Sequence, residues 1–172
     1  MNRTTTPLKR LAESIHTEEC LCHPTLKPSY IPMRKYRECS ANELTRSIIA
    51  LIIYIGGHAE RINTTGRVVQ RKGAKRLVNG KWVDSVRNEY IPTSGQRGSA
   101  DISATINGKS YKIEVKYGRD VQSDAQKVYQ NQIEQCGGVY IIAKTFEQFC
   151  RDLAPHLVGG SAELLNWIVN GE

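Results

Sequence analysis

Asp101, Glu114 and Lys116 are the residues of this chain whose types and spacing suit a reaction. They sit in two alternating apolar and polar runs joined by Asn107-Gly108, the dipeptide favoured by a two-residue type I′ hairpin turn. Such a turn sets Ile106 opposite Lys109 and fixes every further pair, so that Asp101 lies across from Glu114. The register passes an internal test. Ile102 faces Ile113, Ala104 faces Tyr111 and Ala100 faces Val115, which gathers the apolar residues on one face. Asp101, Ser103, Thr105, Ser110, Lys112, Glu114 and Lys116 share the other.

Two carboxylates directly across an antiparallel pair have Cβ atoms about 5 Å apart. At an effective dielectric near 20 their charges repel by roughly 3 kcal/mol, more than the ~0.2–1 kcal/mol that a good cross-strand pair contributes. A divalent cation between the oxygens removes that cost. Hard carboxylate ligands without neighbouring His or thiolate select Mg²⁺ or Mn²⁺ over zinc. Lys116 follows Glu114 by two positions and so points to the same face, where its ammonium is placed to orient or deprotonate an attacking water and to offset phosphate charge. Carboxylate, carboxylate, lysine and metal together describe phosphodiester hydrolysis. Without a metal, the same three residues read as a salt-bridged polar sheet face.

The elements that must position this pair follow from capping and periodicity. Ser40-Ala41-Asn42-Glu43 is a capping box ahead of Leu44, Ile48, Leu51, Ile52 and Ile55, an amphipathic helix stopped by Gly56-Gly57. A short strand is expected over residues 58–63. Residues 77–83, with Asn79-Gly80 at the centre, signal another hairpin. Ser123-Asp124-Ala125-Gln126 opens a helix that Gly137-Gly138 ends, residues 139–143 form a strand buried on both faces, and Thr145 caps a helix to about residue 153. Residues 161–169 form a final amphipathic piece. The order α-β-ribbon-β-β-α-β-α predicts an α/β fold with a mixed central sheet flanked by helices.

Gly98-Ser99-Ala100-Asp101, Ile113-Glu114-Val115-Lys116 and Ser123-x-x-Gln126 ahead of Cys136-Gly137-Gly138 together resemble the PD-(D/E)xK nuclease superfamily. More specifically they resemble its VRR-NUC group, over residues 40–145 and including Glu43 and the strand end Arg61-Ile62-Asn63. Ala100 stands where the superfamily name has proline. The resemblance implies a restriction-endonuclease-like fold and makes Asp101 and Glu114 metal ligands, with the Val115 carbonyl a third. It makes Lys116 the catalytic lysine, Gln126 the residue that positions the water or the lysine, and Glu43 the helix carboxylate that completes the metal site or binds a second ion. By spacing alone Gln126 and Glu43 are equally the third residues of capping boxes. A small nuclease of this kind implies a homodimer, because cutting two strands or a branched junction needs two sites, and a phage or mobile-element origin fits the small members of the group.

The 172 residues fit one domain, read as an N-terminal arm over 1–39, partly extended, and a nuclease-like domain over 40–172 with a basic hairpin insertion at about 66–92. Pro24, Pro28 and Pro32 place 17–39 outside the core, after a short helix over 7–16 started by Thr6. The net charge of +7 is uneven: +3 over 1–40, 0 over 41–66, +6 over 67–87 and −2 over 88–172. Arg67, Arg71, Lys72, Lys75, Arg76, Lys81 and Arg87 carry that surplus and are expected to contact DNA phosphates, duplex or branched. Trp82 among them is read as cross-strand packing rather than a base-stacking residue.

Five cysteines, an odd count, and an N-terminus without an apolar signal core predict a cytoplasmic, reducing setting, and no apolar run reaches membrane-spanning length. Cys20, Cys22, His23 and Cys39 lack the paired spacing of a zinc site, and Cys136 and Cys150 are expected to be buried. The expected activity is metal-dependent DNA endonuclease chemistry, selective for branched DNA. A Holliday-junction resolvase, a restriction or repair nuclease, and a non-catalytic nucleic-acid-binding module stand beside it.

Overall fold

The computed structural model describes residues 6–63, 66–91 and 95–171. The far end of the basic insertion, expected at residue 92, and residues 1–5, expected to lack an apolar signal core, lie outside them. Among the described residues thirteen elements include helices α1 (Pro7–Cys22), α2 (Ala41–Tyr54), α3 (Asp124–Gln135), α4 (Phe146–Leu153) and α5 (Gly160–Asn170). The strands are β1 (His58–Arg61), β2 (Arg67–Val78), β3 (Lys81–Ile91), β4 (Ile102–Ile106), β5 (Lys109–Val115) and β6 (Val139–Ala143). Short 3₁₀ turns at Pro28–Tyr30 and Ala154–His156 complete the set.

The central sheet runs β1-β4-β5-β6; its first three strands are antiparallel and β5 and β6 are parallel. The parallel pair needs a crossover, and α3 supplies it. The expected register is present residue for residue, from Ile106 opposite Lys109 to Ile102 opposite Ile113. Asn107 and Gly108 both take positive φ, 50° and 75°, as a type I′ turn demands. Ile102, Ala104, Ile106, Tyr111, Ile113 and Val115 are buried in the core, and α2 packs Leu44, Ile48, Leu51 and Ile52 into the same cluster.

Ser40, Ser123 and Thr145 cap α2, α3 and α4 by accepting from the backbone N–H three residues on. Helix α2 ends at Tyr54, ahead of Gly56 at a φ of 85°. Strand β6 is buried at four of its five positions, which fits a strand covered on both faces.

The first helix runs longer than expected. Thr6 caps α1 with Pro7 at its first position, as expected, but the helix continues to Cys22 rather than ending near residue 16. Leu8, Leu11 and Ile15 fall at helical spacing, Leu11 is 0% exposed in the core, and Thr17 donates its hydroxyl to the Glu13 carbonyl without breaking the helix. Trp167 of α5 donates its ring N–H to Ser14 at 3.1 Å. Residues 7–22 therefore belong to the packed domain. Among the described residues no helix is long and apolar enough to cross a membrane.

Candidate active site

Asp101 lies one residue before β4 and Lys116 one residue after β5, yet their backbones are held by the sheet. The Ile62 N–H donates to the Asp101 carbonyl at 2.7 Å, and the Lys116 N–H donates to the Ala143 carbonyl of β6 at 2.9 Å. The Asp101 carboxylate accepts from the Val115 N–H at 2.9 Å, which carries the hairpin contact one step past Ile102 and Ile113. In an extended strand a residue's N–H and C=O leave on the same side, so the Val115 carbonyl shares the edge that Asp101 occupies.

Glu114 is 2% and Lys116 6% exposed, and the Lys116 ammonium lies 3.0 Å from Glu114 Oε1. Gln126, at the start of α3, fastens this pair. Its Oε1 accepts from Lys116 at 3.1 Å and from the Ser123 N–H at 2.8 Å, while its Nε2 donates to Glu114 Oε1. The two readings of Gln126 are one arrangement, because the side chain that closes the capping box also bridges Lys116 and Glu114. Gly98 lets the loop before Asp101 approach this helix start: its φ is 82°, and a Cβ there would collide with the Ala125 carbonyl.

Two further side chains join the cluster. Asp120 lies 3.5 Å from the Lys116 ammonium, and the Tyr140 hydroxyl of β6 donates to Glu114 Oε2 at 3.5 Å. Neither stood out in the sequence, since Asp120 falls in a connector without periodicity and Tyr140 within an apolar strand. Two carboxylates, Glu114 and Asp120, thus flank one ammonium, and Asp101 adds its charge beside Glu114. Burial raises the Glu114 carboxyl above its ordinary range, and the Asp101 charge adds to the rise. Burial alone would lower Lys116, but the hydrogen bond and charge of Glu114, followed by Asp120, outweigh it and leave Lys116 raised. The ammonium is therefore charged at neutral pH in the metal-free site.

Glu43 does not join the pair. Its backbone N–H donates to Ser40 Oγ at 3.3 Å, and its side chain lines a separate groove with Arg34, Arg37 and Arg46. Helix α2 packs on the apolar face of the sheet, whereas Glu114 and Lys116 occupy the polar face. Among the described residues no group of three or more His, Cys, Asp or Glu is placed to share an ion. The oxygen donors on hand are the Asp101 and Glu114 carboxylates and the Val115 carbonyl. These are hard oxygens, the donor type that Mg²⁺ and Mn²⁺ prefer.

The seven basic residues lie on a separate two-stranded sheet of β2 and β3. A bulge between Lys72 and Lys75 shifts its register. Strand alternation divides the cations: Arg67, Arg71, Arg76, Lys81 and Arg87 share one face, and Lys72 and Lys75 the other. On the first face Arg71 stands directly opposite Arg87, with Glu89 2.6 Å from Arg71. On the second, Trp82 has Leu77 opposite it, the expected cross-strand neighbour, but remains 69% exposed beside exposed Val86 and Tyr90. Cys150 is buried as expected; Cys136 is exposed, at the C-cap of α3 rather than on its inner face. Compared with protein-family models, with curated proteins and with solved structures, the chain matches none.

Proposed function

We propose that this chain is a metal-dependent DNA endonuclease of the PD-(D/E)xK class, with the VRR-NUC group its nearest likeness. The observation that carries the proposal is a cluster at the end of β5 in which the Asp101 carboxylate, held by the Val115 N–H, acts by its charge on Glu114 while Lys116, 3.0 Å from Glu114, is locked by Gln126. A structural salt bridge needs one carboxylate for one ammonium. Here Asp101 adds a second carboxylate beside Glu114 and Asp120 a third beside Lys116, an arrangement that favours capture of a cation.

Asp101, Glu114 and the Val115 carbonyl would hold Mg²⁺ or Mn²⁺, which supplies Lewis-acid polarisation of a phosphoryl oxygen and activation of water. The protein's own part is placement and charge. Lys116 would orient or deprotonate the attacking water and offset charge on the phosphoryl oxygens. Gln126 is a positioning residue that fixes the lysine rotamer. Water attacks phosphorus in line with the leaving 3′ oxygen, the P–O3′ bond breaks, and the product retains a 5′ phosphate.

Face-sharing by Arg67, Arg71, Arg76, Lys81 and Arg87 supports a phosphate-binding ribbon. Two such subunits would present two active sites to a duplex or branched substrate. The test offers a labelled four-way junction, a flap, a linear duplex and single-stranded DNA, each with Mn²⁺ and with EDTA. Metal-dependent cutting ranks the substrates and separates a junction resolvase from a restriction or repair nuclease. Binding of every substrate without cutting, with Mg²⁺ as with Mn²⁺, identifies a non-catalytic binding module and refutes the proposal.

A further inference from the structure

Residues 33–39, which precede α2, form a strap pinned at two points, one on its backbone and one through a side chain. The Ser47 hydroxyl, on a fully buried position of α2, donates to the Arg37 carbonyl at 2.8 Å, and the Glu38 carboxylate accepts from the Phe146 N–H at 2.7 Å. Arg34 is further tied to Glu19 of α1 at 2.8 Å. Between the strap and α2 lies a groove of about 400 Å³. Four cations line it, Arg34, Lys35, Arg37 and Arg46, against the single carboxylate of Glu43. Ile49 and Ile53 form an apolar floor, and Tyr36 is partly buried beside Arg34.

Among the described residues Lys35, Arg37 and Arg46 have no ion-pair partner, in contrast to Arg34. Unpaired cations around an apolar, aromatic-edged floor match a ligand that is anionic at one end and flat and apolar at the other, as a nucleotide is. Phe146 begins α4, separated from β6 by two residues, so the Glu38 contact ties the strap beyond the C-terminal ends of β5 and β6, with the groove on the outer side of α2.

We propose that this groove is a single-strand subsite. It seats one nucleotide of a nucleic-acid strand, with phosphate against Arg37 and Arg46 and base against Tyr36 and the Ile49–Ile53 floor. The inference rests on the nuclease reading and adds a second contact surface, independent of the ribbon, for the strand that is unpaired at a branch.

The test measures anisotropy of a fluorescein-labelled oligothymidylate of 12 nucleotides in EDTA, where no cutting occurs, as salt is varied. Loss of two phosphate contacts in Arg37→Ala/Arg46→Ala lowers the salt slope by about 1.4 and weakens binding about tenfold near 0.15 M salt. Ser47→Ala, which frees the strap without removing charge, is expected to weaken binding with the slope retained. Exposed Arg46→Glu serves if the double variant does not fold, with the same direction of change. Wild-type affinity and slope in these variants overturn the subsite, as does equal binding of a polyglutamate peptide, which would mark an indiscriminate anion groove. If the Arg71→Ala/Arg87→Ala ribbon variant weakens duplex binding while groove variants bind the oligonucleotide normally, the subsite alone fails. If wild type binds and cuts no nucleic acid, the nuclease reading fails with it.

Discussion

Replacing Asp101 by Asn removes one charge while keeping the shape and the acceptor for the Val115 N–H. Two opposed carboxylates at about 5 Å and an effective dielectric near 20 repel by roughly 3 kcal/mol. Partial solvent access to Asp101 reduces this to an expected gain of about 1–2 kcal/mol for the variant without metal. For a domain of this size that is roughly 2–8 °C in Tm. Thermal unfolding followed by circular dichroism in EDTA reads the gain directly. Repeating it with Mn²⁺ reverses the order, because a ligand at 100 times its Kd stabilises the folded state by about 2.7 kcal/mol, and only wild type retains both carboxylates. Asp101→Asn that unfolds at the wild-type temperature or below it in EDTA, with no Mn²⁺ effect on either protein, would refute the reasoning. The polar face would then be an ordinary salt-bridged surface.

Glu114 sets a pH dependence. Its folded carboxyl is raised by burial and by Asp101, so the stability it contributes is complete below the ordinary value of 4.5 and is lost as pH rises through the raised folded value. Urea melts in EDTA are expected to show wild type losing stability relative to Glu114→Gln as pH rises from 4.5; a flat or rising difference contradicts the assignment. Arg71→Ala/Arg87→Ala removes an opposed pair of guanidinium groups from the ribbon and is expected to reduce the salt slope of duplex binding by about 1.8, read by anisotropy. Gly98→Ala forces a Cβ into the Ala125 carbonyl at a φ of 82°, and is expected to cost about 1–3 kcal/mol in urea unfolding and to lower cleavage by separating Asp101 from the start of α3.

The site was legible where local rules act alone. Asn107-Gly108 fixes the turn, the turn fixes the register, and the register alone places Asp101 opposite Glu114. Ser123 and Gln126 likewise declare both a helix start and, through the bridge from Gln126 to Lys116, a member of the site. What escaped depends on tertiary placement. Glu43 has a strong capping signature, but the same helix that buries Ile48 and Ile52 against the sheet turns it toward the strap. Leu8, Leu11 and Ile15 form too short a stripe to announce a core helix until α5 covers it. Asp120 belongs to an irregular connector, where sequence offers no period from which a direction could be read. In the ribbon, counting charge located the cations, but only the strand pairing across the bulge sorted them onto two faces.

Single-turnover cleavage of the four labelled DNA substrates in Mn²⁺, with wild type and Lys116→Ala run side by side, tests the central claim most directly. Removing one preorganised charge-stabilising donor typically costs about 10²–10³ in rate. The expected result is metal-dependent cutting by wild type, leaving 5′ phosphates, and a loss of that order in the variant with its DNA affinity in EDTA retained. Equal cutting by both proteins, or cutting by neither in Mn²⁺ or Mg²⁺, would contradict it.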